Sequence, residues 1–367
     1  MPFRLPTHVV LEPGSVAELS RYMNRFTAER AMLLYDPGLA KTKWPAVVRA
    51  QLNDAGIAVV EFDDIEPNPR VETVDRAARI ARRADLNLIV GIGGGSVLDA
   101  AKAVSMLIRN RGDILKYEGR NLFPEPAAPF IAIPTTCGTG SEVTWVSVLS
   151  DPISRRKISI KGDGMFPALA IVDADVLETL PTTLIAQTGI DALTHAVETI
   201  IGKPANPVSD VLAREAVQLL VEHLPSLVKT PANSVAREAV MRASTLAGMA
   251  FGNADVGAVH CLSESIGGLT DLGHGLLNAV LIAPVLTYEL EAIREPLGSI
   301  LPGINAEAML KIIRDIVTDA GIPSFAFLEI DTNLYEELSV QAAQNGSNQS
   351  NRKTMSAANY RQILDSL

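Results

Sequence analysis

An α/β first half with a mostly parallel sheet, followed by an all-helical second half, is the fold class this sequence predicts. Three observations predict it. Up to about residue 178, short apolar runs alternate with helix-periodic ones. Beyond that point three long segments carry helical spacing, with no strand-like alternation between them. Leu180-Pro181 separates the two textures. Strand–helix alternation leads to a parallel sheet covered on both faces. The expected domains are therefore residues 1–178 and 179–367, both of ordinary domain size.

The elements follow in order. RAMLLYDPG (Arg30 to Gly38) is a buried strand closed by an Asp-Pro-Gly turn, and GIAVVEFDDI (Gly56 to Ile65) reads the same way. In RVETVDRAARIARRADL, Val71, Val74, Ala77, Ala78 and Ala81 are spaced as one face of a helix. LNLIVGIGGGS (Leu86 to Ser96) is a strand running into glycines, and SVLDAAKAVSMLI (Ser96 to Ile108) is the helix after it. PFIAIPTT (Pro129 to Thr136) and ALAIVDADVL (Ala168 to Leu177) are two further strands. In the second half TTLIAQTGIDALTHAVETII, NPVSDVLAREAVQLLVEHLPSLV and SVAREAVMRASTLAGMAFGNA are helices divided by Pro, Asn and Gly. QNGSNQSNRKT (Gln344 to Thr354) is a polar loop.

Composition narrows the function. Apolar residues make up 47% and charged residues 20%, which places the chain among globular proteins and away from disordered ones. A net charge of −10 opposes nucleic-acid binding, and the densest basic cluster, SRRKISIKG (Ser154 to Gly162), is short. MPFRLPTHVVLEPGS lacks the apolar core of a secretory signal, and no apolar run reaches the ~18 residues of a membrane span. Cys137 and Cys261 are too few for a disulfide framework. The expectation is a soluble cytoplasmic protein with neither nucleic acid nor membrane as partner.

Two loops suit phosphate. GIGGGSVLDAAK (Gly91 to Lys102) follows a strand and opens a helix, where glycines let the backbone approach a pyrophosphate and the helix N-terminus supplies N–H groups. The strict G-x-G-x-x-G is absent, because Ser96 stands where the last glycine belongs. PTTCGTGSEVT (Pro134 to Thr144) is a second hydroxyl- and glycine-rich loop after a strand, although Ser141 there could simply cap a helix. Open α/β sheets bind ligands at the carboxyl ends of their strands, so the two loops reinforce each other. Asp36 could accept from an adenosine ribose, and its charge would repel a 2′-phosphate. Read locally it is first of all the Asp of an Asp-Pro-Gly turn.

The five histidines are His8, His195, His223, His260 and His274. Asp191 and His195, four apart in DALTHAVE, share a helix face. His260 and His274 follow, fourteen apart, in GAVHCLSESIGGLTDLGHGLLNAVL. One carboxylate and three imidazoles suit Fe(II) or Zn(II) and leave room for a substrate oxygen. A histidine on an apolar helix is more often a hydrogen-bonded core residue, and spacing alone leaves the two readings level. His8 and His223 have no partner motif and read as structural.

Taken together, GGGSVLDAAKA, PTTCGTGSEVT, TGIDALTHAVE, HCLSESIGG, GHGLLNAVLIAPV and the tail NGSNQSNRKTMSAANYRQIL resemble the iron-containing (group III) alcohol dehydrogenase family, in order and over essentially the whole chain. The resemblance implies a dinucleotide-binding, Rossmann-like N-terminal domain and a helical C-terminal metal domain, the dehydroquinate synthase-like two-domain fold. It implies that Asp191, His195, His260 and His274 bind one divalent metal. It implies that Gly94, Gly95, Ser96 and Asp99 line a pyrophosphate site, with Thr135, Thr136, Thr139 and Ser141 contributing from the second loop. Asp36 matches a position near the adenosine ribose, Asn68 another cofactor-side position, and Lys157 one near the nicotinamide ribose. The implied cofactor is NAD in preference to NADP, and the implied assembly a homodimer. The implied reaction is reversible oxidation of a small alcohol to its aldehyde or ketone.

One departure from the family stands out. Many members carry a second histidine four residues after the third ligand, at the edge of the substrate site; here that residue is Glu264, a candidate catalytic group. Cys137 replaces a commoner alanine. Rival readings are a maleylacetate reductase, a glycerol dehydrogenase or a reductase of a small acid-bearing aldehyde on the same scaffold. A dehydroquinate synthase-type lyase would need Lys and Arg around the metal, and few basic residues lie near these ligands in the sequence. A non-catalytic nucleotide-binding protein would have lost a ligand, and none is missing.

Overall fold

The computed structural model describes residues 3–367 and divides into two compact units, Leu5–Leu180 and a unit formed by Pro181–Leu367 together with Phe3 and Arg4. The first unit holds nine strands among the described residues: β1 His8–Leu11, β2 Arg30–Leu34, β3 Ala58–Phe62, β4 Leu88–Gly93, β5 Gly119–Arg120, β6 Phe130–Pro134, β7 Val146–Asp151, β8 Arg156–Lys161 and β9 Leu169–Val172. Its helices are α1 Trp44–Asp54, α2 Val71–Arg83 and α3 Gly95–Arg109. Six strands form a fully parallel sheet in the order β1-β9-β6-β4-β2-β3. Every residue of the central strands β4 and β6 is buried, whereas the edge strands β1 and β3 expose part of their length. This explains why LIVGIG and FIAIP read as unbroken apolar runs.

The strand order reverses between β2 and β4: the chain steps outward from β2 to β3, then returns to the other side of β2. Such a switch point opens a crevice at the carboxyl ends of the two strands, the habitual ligand position in open α/β sheets. Asp36 follows β2 and the glycine turn follows β4, so the topology brings both to this crevice.

Two features depart from the sequence reading. Helix α1 and strands β1, β5 and β7 were not among the expected elements, and the basic cluster SRRKISIKG is largely strand β8, which pairs antiparallel with β7. Its charged and hydroxyl residues alternate with Ile158 and Ile160, which are buried in the core. That period-two pattern marks a half-buried strand, and the neighbouring cationic residues disguise it.

The second unit is helical throughout its described residues: α4 Thr182–Ile201, α5 Pro207–Lys229, α6 Ser234–Phe251, α7 Ala258–Thr270, α8 His274–Gly298, α9 Ala306–Asp319, α10 Tyr335–Gln344 and α11 Ala357–Asp365. α4 packs against α5, α6 and α8, and every residue from Gly189 to Ile201 is buried. An asparagine capping box, Asn206 with Ser209, starts α5, so the chain turns back sharply after Gly202.

α8 is long and apolar enough, by length and composition, to cross a bilayer, although its apolar residues are interrupted by polar ones. About half of that window is buried within the unit, and α8 packs on α4, α7 and α9. Its buried polar residues Asn278 and Glu289 face protein neighbours, as in a core helix.

Candidate functional site

In the second unit three helices bring four donors together. Asp191 and His195 lie one turn apart on buried α4, His260 lies in the first turn of α7, and His274 opens α8. The Asp191 carboxylate oxygen Oδ1 is 3.8 Å from His195 Nδ1, 3.8 Å from His260 Nε2 and 3.7 Å from His274 Nε2. All four donor atoms lie within 4.8 Å of one another. Tetrahedral ligands at ordinary metal–nitrogen and metal–oxygen bond lengths sit about 3.4 Å apart, so the cluster is a slightly open seat of the right size. Asp191, His195 and His260 are buried, while the His274 side chain is 35% exposed. The cluster therefore meets solvent at His274. One carboxylate and three imidazoles are the donor set expected of Fe(II) or Zn(II).

Neighbouring groups hold these donors in place. Glu198, one turn beyond His195 on α4, accepts from the backbone N–H of Gly257 and Val259 and pairs at 2.5 Å with His260 Nδ1. Its carboxylate places the ring proton on Nδ1 and leaves the Nε2 lone pair facing the other donors. The His195 ring stacks on Phe251 with centroids 4.3 Å apart. Asn278 Nδ2 donates to Asp191 Oδ1 at 2.6 Å and lies 3.1 and 3.0 Å from His260 Nε2 and His274 Nε2, while its buried Oδ1 has no hydrogen-bond partner. An electropositive group thus already stands against three converging acceptors, and an orphaned amide oxygen lies beside it. Both observations fit a site that takes a cation.

The charges respond accordingly. Burial alone would push the Asp191 carboxyl up, but the three imidazoles and the Asn278 amide outweigh it and hold it below its ordinary value. Burial opposes the charged form of His260, yet Glu198, Asp191 and Glu264 together carry it above the usual histidine range. Glu289, buried on α8, is pushed up to about 8 by burial and by the Glu198 charge. Glu264 lies one turn after His260 and accepts from Asn345 Nδ2 at 2.6 Å.

The first unit gathers most of the predicted nucleotide residues. Gly94 caps the N-terminus of α3, Gly95 begins it and Ser96 lies in its first turn. A Cβ on Gly94 would come within 2.9 Å of the Thr136 methyl, and one on Gly95 within 2.5 Å of the Thr139 methyl. The glycines are thus required because the second loop packs directly on the first. Buried Thr135 donates its N–H to the Gly93 carbonyl, which joins the two loops. Asp99 and Ser141 meet beneath them. Ser141 Oγ donates to Asp99 Oδ1 at 2.6 Å and the Val148 N–H donates to Asp99 Oδ2 at 2.8 Å.

Asn68 and Lys157 form a separate pair. Lys157 Nζ donates to Asn68 Oδ1 at 2.6 Å and to Ser150 Oγ at 3.0 Å, and Asn68 adopts a left-handed backbone that asparagine tolerates. Asp36 Oδ1 accepts from the N–H groups of Gly38 and Leu39, so it is a turn residue at the end of β2. Sequence reasoning missed Glu198, Asn278 and Lys102. The first two lay within reach, Glu198 at the end of the same DALTHAVE stripe and Asn278 four residues after His274.

Residues 6–174 match the family model described as iron-containing alcohol dehydrogenase, and residues 185–367 match the C-terminal model of the Fe-containing alcohol dehydrogenase family. The chain is 37% identical over 324 residues to a 1,3-propanediol dehydrogenase from Klebsiella pneumoniae, which covers 85% of this chain and 84% of that protein. It is 32% identical over 374 residues to an NAD-dependent methanol dehydrogenase from Bacillus methanolicus, covering 99% and 98% of the two. The crystal structure of a 1,3-propanediol oxidoreductase superposes with a TM-score of 0.94 at 33% identity, over 100% of this chain and 99% of that one.

Proposed function

This chain belongs to the iron-containing alcohol dehydrogenase family and is an alcohol dehydrogenase, and on that premise we propose which residues carry the activity. Asp191, His195, His260 and His274 hold one Fe(II) or Zn(II). The glycine turn at Gly94–Gly95, with Ser96 and the Thr135–Thr139 loop, receives the pyrophosphate of NAD; Asn68 and Lys157 serve its nicotinamide side, and Asp36 its adenosine ribose. The convergence of the four donors, backed by Glu198, is the observation that carries this reading. When bound, the metal polarises the alcohol oxygen and NAD accepts the hydride. NAD rather than NADP is supported by the acidic Asp36 at the end of β2 and by the NAD-dependent relative.

The chain's own residues set the stage. Glu198 fixes the His260 tautomer and holds the start of α7 against α4. The Phe251 stack prevents His195 from turning away. Asn278 holds Asp191 in place, and Asn345 holds Glu264 one turn from His260. A small primary alcohol or diol is the proposed substrate class, in keeping with the methanol and propanediol enzymes among the relatives. We further propose a cytoplasmic homodimer, to be checked by the mass of the purified protein in solution.

The test is to purify the protein anaerobically without chelator, measure bound metal, and follow NAD reduction with a panel of small alcohols before and after chelation. The expected result is one metal per chain and an activity that chelation removes and Fe(II) or Zn(II) restores. Absence of stoichiometric metal after add-back, with activity unchanged in His260→Ala, would overturn the ligand assignment.

A further inference from the structure

Lys102 is the least expected charge in the molecule. It sits in α3 among Ala100, Ala101, Ala103 and Val104, and its side chain is fully buried. Burying an ammonium is costly unless hydrogen bonds replace its water. Here they do. Lys102 Nζ lies 2.6 Å from the Val146 carbonyl, 3.0 Å from the Ser141 carbonyl, 3.0 Å from Ser141 Oγ and 3.3 Å from Thr144 Oγ1. Asp99, from its own helix, stands 3.9 Å away, and Glu142, from the loop, is the other charge that acts on it. All four acceptors belong to the segment that runs from the second phosphate-binding loop into β7.

That segment has little regular structure of its own. Gly140 takes a left-handed backbone, a short 3-10 turn covers Ser141–Val143, and β7 begins only at Val146. Its upper side, at Thr136 and Thr139, packs on the glycine turn. Its lower side is tied to α3 by Lys102 and Asp99.

We propose that Lys102 is a positioning residue for the dinucleotide: its ammonium clamps the Thr135–Thr144 segment to α3 in the shape that receives the pyrophosphate, so cofactor affinity follows its protonation. This rests on the assignment of the glycine turn and second loop to NAD. The chemistry is specific. Three N–H bonds of an ammonium can serve three of the four acceptors at once, two of which are carbonyls that only accept. A neutral amine keeps two N–H bonds and no longer balances the charges of half-buried Asp99 and buried Glu142. Burial brings the Lys102 ammonium down from the ordinary lysine range to about 8, against the pull of Asp99 and Glu142. The charged form therefore dominates below that value, and the clamp weakens as pH rises through it.

The experiment is a fluorescence titration of the metal-loaded enzyme with NADH from about pH 7 to about pH 9.5, across the lysine transition. One charge-assisted hydrogen bond corresponds to about a tenfold change in affinity. Wild type is expected to lose about that factor over the range, while K102R, charged throughout, keeps its neutral-pH affinity to the alkaline end. K102M is expected to bind about tenfold more weakly at neutral pH, with no pH dependence, while keeping its bound metal. A wild-type affinity that stays flat would overturn the proposal, as would a K102R profile that falls like the wild type's. Wild type and K102R decide the matter even if K102M does not fold. Gly95→Ala separates this inference from the one beneath it. If that variant binds NADH as the wild type does, the loop assignment itself fails. If it loses NADH while K102M binds normally, only the role of Lys102 fails.

Discussion

The loops proposed for the nucleotide and the histidine cluster are built by opposite means. The loops are built from backbone: two glycines admit the Thr136 and Thr139 side chains where any Cβ would collide, and the charged groups Asp99 and Lys102 face inward. The cluster is built from side chains on three helices, and a buried carboxylate serves behind it to aim one imidazole. A site made of main chain tolerates much change in its side chains and very little in its shape. A site made of side chains tolerates small shifts of its scaffold and almost no change in identity.

The largest effect should come from breaking the side-chain site at its centre. His260→Ala and Asp191→Ala are each expected to lower metal content and to reduce alcohol oxidation about a thousandfold or more, measured as turnover with metal in excess. NADH binding by fluorescence should remain near wild type in both, because none of the proposed metal ligands lies in the first unit. Loss of NADH binding would blur the distinction between the two sites.

Next comes the group behind the ligand. Glu198→Gln keeps the shape and removes the charge that faces His260 Nδ1, so metal affinity should fall about 10–100-fold in competition with a chelator. An unchanged affinity would mean that packing alone aims the ring.

The backbone site should break through shape. Gly95→Ala places a methyl 2.5 Å from Thr139 Cγ2, and overpacking of this kind costs about 1–3 kcal/mol, or roughly tenfold or more in NADH affinity. Its metal content is expected to stay at one per chain.

The smallest effect lies near the cluster but not in it. Glu289 stays protonated in the fold to about pH 8, while in the unfolded chain it ionises near its ordinary value of 4.5. Its folded value is raised, so its contribution is fully present below that ordinary value and is lost as pH rises towards 8. Glu289→Gln mimics the protonated form and should raise the melting temperature at pH 8 by about 2–4 °C for each kcal/mol recovered. Near pH 4.5 it should change little, and an equal effect at both values would assign the role to packing.

Much of this was legible because the relevant patterns are periodic. LIVGIG and FIAIP are buried on both faces and could hardly read as anything but strands. Asp191 and His195 declare a common helix face by their spacing. The second half showed only helices, and no strand occurs among its described residues. What stayed hidden depends on contacts made across the chain. Glu198 closes the DALTHAVE stripe, but the partner that gives it a role, His260, lies 62 positions away and only the fold brings it there. Lys102 looks like an ordinary surface lysine until α3 proves to be buried around it. Strand β8 was masked by its cationic residues, whose long stems leave the sheet while Ile158 and Ile160 enter the core. The double loop was readable as glycine and threonine, yet the reason for the glycines appears only when Thr136 and Thr139 arrive from the loop after β6.

Glu198 has a consequence for the order in which this protein is assembled. Its carboxylate accepts the first free N–H groups of α7 and so serves as that helix's N-terminal cap, donated from α4. The same contact that aims His260 thus also satisfies the start of a helix, so it belongs to the fold of this unit and does not depend on a cation. The metal proposed for this cluster is then expected to enter a finished scaffold through the exposed side of His274, and the emptied protein should reload from solution without first passing through an unfolded state.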